Sequence, residues 1–298
     1  MSNTVAEALR EHLRASGLSQ KSVAKAMGIS SAAVSQYLNN KYPGDIGALE
    51  NMIAQYLNLS IQREAYPHAE IGFIDTSVVR QVCEILHNCH VECRLGIVTG
   101  DSGLGKTTGV KRYAAEHSDV IVVYGRKSMT CKSLMVELAT KIGVDNRGSK
   151  DDIFGRIWRA LRGSKRMLII DEAEHLKPDI LDQVRRLGDS EFAGIGIALV
   201  GLPRLSNILR TNLGDYQYIY RRVRWSKNVP GLSDQDIKLF VSAGVPQCIS
   251  LWQTFADESM RNARLLVSLI ENSIEVAVMN SLPITSELIH EAAKLLMR

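Results

Sequence analysis

The stretch VTGDSGLGKTTGV, from Val98 to Val110, constrains this chain more than any other. Gly100 and Gly105 stand five positions apart and lead into Lys106 and Thr107, the spacing G-x-x-x-x-G-K-[ST]. Upstream, Leu95, Ile97 and Val98 read as a short buried strand. Downstream, TTGVKRYAAEH reads as the start of a helix. Strand, Gly-rich loop, helix is the setting of a phosphate-binding loop. Glycines let backbone N–H groups curl around a phosphate chain, and the helix N-terminus adds partial positive charge. ATP is therefore expected on Gly100, Asp101, Ser102, Gly103, Leu104, Gly105, Lys106, Thr107 and Thr108. Lys106 would reach the β- and γ-phosphates, and the Thr107 hydroxyl would bind Mg²⁺.

A phosphate loop needs a carboxylate near the metal. RMLIIDEAEHL supplies one: Met167 to Ile170 are apolar, and Asp171 and Glu172 follow at the strand end. Asp171 would hold Mg²⁺ through its hydration shell. Glu172 would orient and polarise the attacking water.

The pattern divides the chain into three regions. Residues 1–66 are helical in pattern and end near Pro67. Residues 67–225 alternate helices with short apolar strands, read at Leu95–Thr99, Val120–Tyr124, Arg166–Asp171 and Ile195–Val200. Such alternation predicts an α/β fold with a parallel sheet covered on both faces. Residues 226–298 return to helix.

The first region contains LSQKSVAKAMGISSAAVSQYLNNKY. Val23, Ala24, Met27, Ile29, Val34 and Leu38 are its apolar positions. Gly28 marks a sharp turn, and Ser30 or Ser31 can cap the next helix. The spacing resembles the helix-turn-helix of phage repressors. Its second helix opens with Ser31, Ala32 and Ala33, none of which makes the bidentate base contacts of Arg, Asn or Gln. Ser35 and Gln36 remain as polar candidates, and Gln20 is placed for a phosphate. Double-stranded DNA is thus expected to be held by its backbone and read poorly.

Together, GDSGLGKTT and LIIDEAEHL resemble AAA+ ATPases over roughly residues 70–270. With the helix-turn-helix in front, the resemblance narrows to transposition ATPases of the Mu B type. It implies a P-loop AAA+ core, an N-terminal helix-turn-helix domain and a C-terminal helical lid. It also implies ATP-bound subunits assembled on DNA as a helical filament or ring, and a transposase as partner. LGDYQYIYRRVRW resembles the arginine box that reaches a neighbour's γ-phosphate; Arg221 and Arg222 are the candidates, with Arg222 chosen as the catalytic one. SMRNARLLVSLIENS resembles the second sensor motif, which puts Arg264 on the nucleotide; its usual preceding glycine is absent, and Arg261 is a substitute contact. A polar first sensor is expected at the end of the fourth strand, where this chain has Gly201. Arg126 and Lys127, after the second strand, are candidates for DNA contact. Two other readings stay open: a helicase-loader ATPase, and a repressor-like regulator switched by ATP.

Composition sets outer limits. The chain has 298 residues, 45% hydrophobic and 23% charged, as in an ordinary globular protein. Net charge is +4, compatible with nucleic acid. No apolar run reaches the length of a transmembrane helix, and MSNTVAEALREHLR is too polar for a signal peptide. No membrane association and a cytoplasmic location are expected. CEILHNCHVEC contains three of the five cysteines but no C-x-x-C pair, so buried or half-buried thiols are expected rather than zinc.

Overall fold

The computed structural model describes residues 2–65, 71–189, 191, 193–210 and 217–296. Contacts divide the chain into two units, Met1–His68 and Ala69–Arg298. The helix end expected at Pro67 lies outside the described residues.

The first unit consists of the helices Ser2–Ser16, Gln20–Ala26, Ser31–Leu38 and Ile46–Ala65. Ser19 and Ser30 cap the second and third, accepting at Oγ from the N–H groups of Ser22 and Ala33, each at 3.1 Å. Ser30 is thus the capping member of the Ser30–Ser31 pair. Gly28 turns the chain between them at φ +70°, where a side chain would be strained. Leu9, Val23, Val34, Leu38, Leu49 and Ile53 form the core; Met27 and Ile29 pack at its edge. The Tyr37 hydroxyl donates to Glu50 at 2.9 Å, and burial, then that bond, push its pKa up to about 12.

The second unit is built on five parallel strands: β1 Leu95–Thr99, β2 Val120–Tyr124, β3 Met167–Asp171, β4 Gly196–Gly201 and β5 Val223–Asn228. They lie in the order β2-β3-β4-β1-β5. β1, β3 and β4 are buried throughout, which is why they read as continuous apolar runs. β5 is an edge strand that, among the described residues, pairs with β1 alone, and it crosses the boundary expected at residue 225. Alternate strand residues face two cores. Val98, Ile169 and Val200 pack with the helix Ser77–Glu92 and the C-terminal helices. Ile97, Ile170 and Leu199 pack with the helices Cys131–Ile142, Lys150–Leu161 and Pro178–Gly188.

The helix Ser77–Glu92 lies close on the sheet because Gly96 and Gly196 face it. A Cβ at Gly96 would lie 2.2 Å from Cys89 Sγ, and one at Gly196 would lie 2.5 Å from the Cys89 carbonyl. The cysteines are free thiols, Cys89 and Cys248 buried and the other three half-buried. Burial pushes the Cys89 pKa up to about 12, so this thiol serves packing. His90 spends its ring nitrogens on Tyr113 and Asp119, at 3.0 and 3.1 Å. No helix among the described residues is long and apolar enough to cross a membrane.

Asp236 joins core to C-terminal helices. It is fully buried, and it accepts from the backbone N–H and hydroxyl of both Ser77 and Ser233. Burial alone would raise its pKa; these four hydrogen bonds more than offset that and hold it below the ordinary carboxylate value. Its contribution to stability is therefore present above about pH 4 and is lost as pH falls through the depressed folded pKa. Asp236→Ala is expected to destabilise this unit by about 2–4 kcal/mol, because four donors lose a charged acceptor. Denaturant unfolding at several pH values checks this. Asp236→Asn should flatten the acid limb, and an unchanged limb would refute the assignment.

Candidate nucleotide site

The phosphate loop leaves the C-terminal end of β1, where the strand order switches direction and open α/β sheets place their ligands. Gly103 and Gly105 adopt φ +81° and +102°, and Gly105 caps the helix Lys106–Glu116 with no side chain in the way. These positive φ values let the loop curl with its N–H groups facing inward. Gly100 is required for a different reason: a Cβ there would lie 2.5 Å from Val229. Leu104 is 4% exposed and anchors the loop in the core, so only its backbone is available to a ligand.

Lys106 is buried, and its Nζ donates to the carbonyls of Gly100 and Asp101, each at 2.7 Å. Burial lowers its pKa; the carboxylates of Asp171, Glu174 and Asp101 act the other way without cancelling the effect. Thr107 Oγ1 donates to Asp171 Oδ2 at 2.7 Å. Asp171 is 2% exposed, and its Oδ1 accepts from the Glu172 N–H at 2.9 Å. The two oxygens expected to serve Mg²⁺, Thr107 directly and Asp171 through the ion's hydration shell, therefore lie side by side next to the loop. That hard oxygen set fits the ion.

Glu172 is in the left-handed region at φ +55°, an uncommon and strained conformation for such a residue. Its exposed carboxylate lies 4.0 Å from His175 Nε2. Its carbonyl lies close against Gly125, where a Cβ would come within 2.4 Å. The turn thus sends the side chain of Glu172 away from the sheet while Asp171 stays inside.

The loop and the acidic pair line a cleft of about 610 Å³, within the usual range for a small-molecule site. Its polar lining includes Ser102, Thr107, Asp171, Glu174 and Arg204. Its apolar lining includes Ile71, Phe73, Ile74, Phe240 and Val267, a set that suits a nucleotide base. Sequence reasoning missed these apolar residues and Arg204. IGFIDTS carries no motif, and its residues gather at the cleft only through folding.

The helix Ala263–Asn280 closes over the loop. Asn262 caps it, accepting from the N–H groups of Arg264 and Leu265, while its Nδ2 donates to the Ser102 carbonyl at 2.6 Å. The Arg264 N–H donates to the Gly103 carbonyl at 3.0 Å, and its guanidinium lies 3.4 Å from Ser102 Oγ, in the cleft. Arg261, the expected substitute, instead pairs with Asp234 at 2.6 Å and donates to the Leu232 carbonyl.

The other predicted residues lie elsewhere. Arg221 and Arg222 precede β5, exposed, and neither lines the cleft of its own chain. Arg222 pairs with Asp189. Arg126, exposed, pairs with Glu137 at 2.9 Å, and Lys127 beside it is exposed too. In the first unit Gln20, Ser31 and Gln36 are exposed and Ser35 is half-buried. Exposed Lys21 and Lys25 follow Gln20 on the same helix.

A parallel sheet in this order, a glycine loop carrying Lys106 and Thr107, and an acidic strand end beside it define an AAA+ ATPase. Comparisons agree: an AAA domain matches residues 89–209, and a helix-turn-helix matches residues 8–47. The chain belongs to the Mu B-type DNA transposition proteins. The Mu-like prophage FluMu DNA transposition protein B of Haemophilus influenzae is 30% identical over 86% of this chain and 87% of its own. The ATP-dependent target DNA activator B of Escherichia phage Mu is 26% identical over 75% and 72%. Two solved structures share the fold at low identity. One is the Aeropyrum pernix ORC2 protein, with TM-score 0.54 and 14% identity over 73% of this chain and 66% of that one. The other is the Thermotoga maritima RuvB branch migration motor, with TM-score 0.50 and 15% identity over 74% and 68%.

Proposed function

We propose that this protein is an ATP-dependent, largely sequence-nonspecific DNA-binding ATPase that assembles on target DNA in a bacterial cytoplasm and activates a transposase. The observation that carries the reading is the joined site: Lys106, Thr107 and Asp171 meet at the loop, beneath a lid helix that reaches it through Asn262 and Arg264. The names of the relatives, a DNA transposition protein and an ATP-dependent target DNA activator, support the remainder.

In this reading the loop N–H groups and Lys106 hold the β- and γ-phosphates, and Lys106 leaves its two carbonyl acceptors to do so. Thr107 and Asp171 hold Mg²⁺, whose charge offsets that of the phosphates. Arg264 contacts the phosphates from the lid. Glu172 takes a proton from the attacking water. Arg222 crosses to a neighbour's γ-phosphate, so that ATP joins two subunits. Repeated head to tail, that joint builds a filament if it does not close and a ring if it does.

DNA would be held through phosphates, by Gln20, Ser31, Ser35 and Gln36 in the helix-turn-helix and by Lys127 and Arg126 on the ATPase. Arg126 would have to release Glu137. The exposed Lys21 and Lys25 join the set. Affinity should then fall steeply with salt and vary little among unrelated duplexes. Lys21→Ala and Lys25→Ala should each lower the slope of log affinity against log salt by about one. Titration of labelled duplexes over a range of salt measures this. One strongly preferred operator would instead favour a repressor. Electron microscopy with duplex DNA and ATP tests the assembly; single subunits on DNA would sink it.

A further inference from the structure

Glu174 lies two residues beyond Asp171–Glu172's acidic junction, on the short turn Ala173–His175, and the reading above gives it no task. Its side chain is 4% exposed and lines the cleft. Its Oε2 is buried without a hydrogen-bond partner. Its Oε1 has Arg204 at 3.9 Å, beyond hydrogen-bond distance. A buried carboxylate left this short of donors is destabilising, and such groups persist where a site uses them.

Gly201 shows where it points. β4 ends there, between β1 and β3. A Cβ at 201 would lie 2.2 Å from Glu174 Oε2. The end of β4 therefore carries no side chain, and Glu174 fills that volume from the turn that follows the neighbouring strand β3. Its charge also acts on Lys106, which lines the same cleft.

We propose that Glu174 holds the attacking water, accepting one of its hydrogens from the place where β4 lacks a polar side chain. This inference rests on the ATPase reading and keeps Glu172 as proton acceptor. A carboxylate cannot sit directly on phosphate oxygens, because like charges repel. A water between them resolves the conflict: one O–H points to Glu172, the other to Glu174, and a lone pair faces phosphorus. The water oxygen bonds to the γ-phosphorus as the bond to the β–γ bridging oxygen breaks. ADP leaves with that electron pair. One proton passes to Glu172 and then to phosphate. Glu174 gains and loses none.

The test uses the full chain with duplex DNA and ATP. Turnover, KM, binding of a fluorescent ATP analogue and the melting temperature are compared among variants. Glu174→Ala should lower kcat about 100-fold, with ATP binding within about twofold of wild type. Its melting temperature should hold or rise, since a buried charge is gone. Glu174→Gln keeps an acceptor oxygen and should lose only about tenfold. Adding Gly201→Asn to Glu174→Ala returns an amide oxygen to the same volume and should recover part of the loss. Wild-type kcat in Glu174→Ala, or equal losses of turnover, ATP binding and melting temperature, would overturn the proposal. Glu172→Gln is run alongside. If it is inactive while Glu174→Ala is fully active, the inference falls and the ATPase reading stands. If it is active while Glu174→Ala is not, Glu174 keeps the water and Glu172 loses its role as proton acceptor.

Discussion

Glu172→Gln is expected to slow ATP hydrolysis by roughly two to four orders of magnitude while ATP and DNA stay bound. The substitution keeps the size and hydrogen-bonding shape of the side chain but cannot accept the proton of the attacking water. It also keeps the local backbone: a glutamine meets the left-handed φ of +55° at about the same cost as a glutamate. Lys106, Thr107 and Asp171 are untouched, so nucleotide should still bind. If the γ-phosphate joins one subunit to the next, hydrolysis removes the joint and loosens the assembly. The variant should therefore remain on DNA longer than wild type once free ATP is removed. Lys106→Ala should do the reverse and lose ATP and DNA together. Dissociation from labelled duplex after dilution into ATP-free buffer separates these cases. Equal lifetimes for Glu172→Gln and wild type would mean that hydrolysis does not drive release.

What could be read beforehand followed burial. β1 to β4 appear within one residue of the expected bounds because each is a short apolar run. β5 was not legible. Its residues, VRWSKN, are mostly exposed at the sheet edge and look like a basic loop. The phosphate loop and acidic pair are contiguous motifs, so their spacing alone announced them. Arg204, Phe73 and Glu174 reach the cleft from three segments whose proximity exists only in the folded chain. Gly201 had a legible oddity, the missing polar group at the end of β4. Its reason lay in Glu174, far away in sequence. Arg264 was expected only from the resemblance of its segment to the second sensor motif; in the fold the Asn262 cap starts its helix beside the loop, with the guanidinium 3.4 Å from Ser102 Oγ.

Arg222→Ala is expected to lower turnover in the assembled protein by about 10³-fold or more, while an isolated subunit still binds ATP. The large effect follows from the role: an arginine supplied by a neighbour acts on the charge of the transition state and not on the fold. The local pairing permits such a role. Arg222 pairs with Asp189, but Asp189 also accepts from Arg185 at 2.6 Å. Arg222 can therefore leave without stranding a largely buried carboxylate, and a γ-phosphate offers it a denser charge than the shared Asp189 does. Asp189→Asn should free Arg222 from its parking place and leave turnover equal to wild type or higher. A purely structural ion pair makes a different forecast: Asp189→Asn and Arg222→Ala would do equal harm. Mixing decides whether the arginine acts across subunits. Arg222→Ala keeps a working phosphate loop, and Lys106→Ala keeps a working arginine, so each lacks what the other has. Their mixture should hydrolyse ATP when neither does alone. Turnover in Arg222→Ala matching wild type would move the finger to its exposed neighbour Arg221.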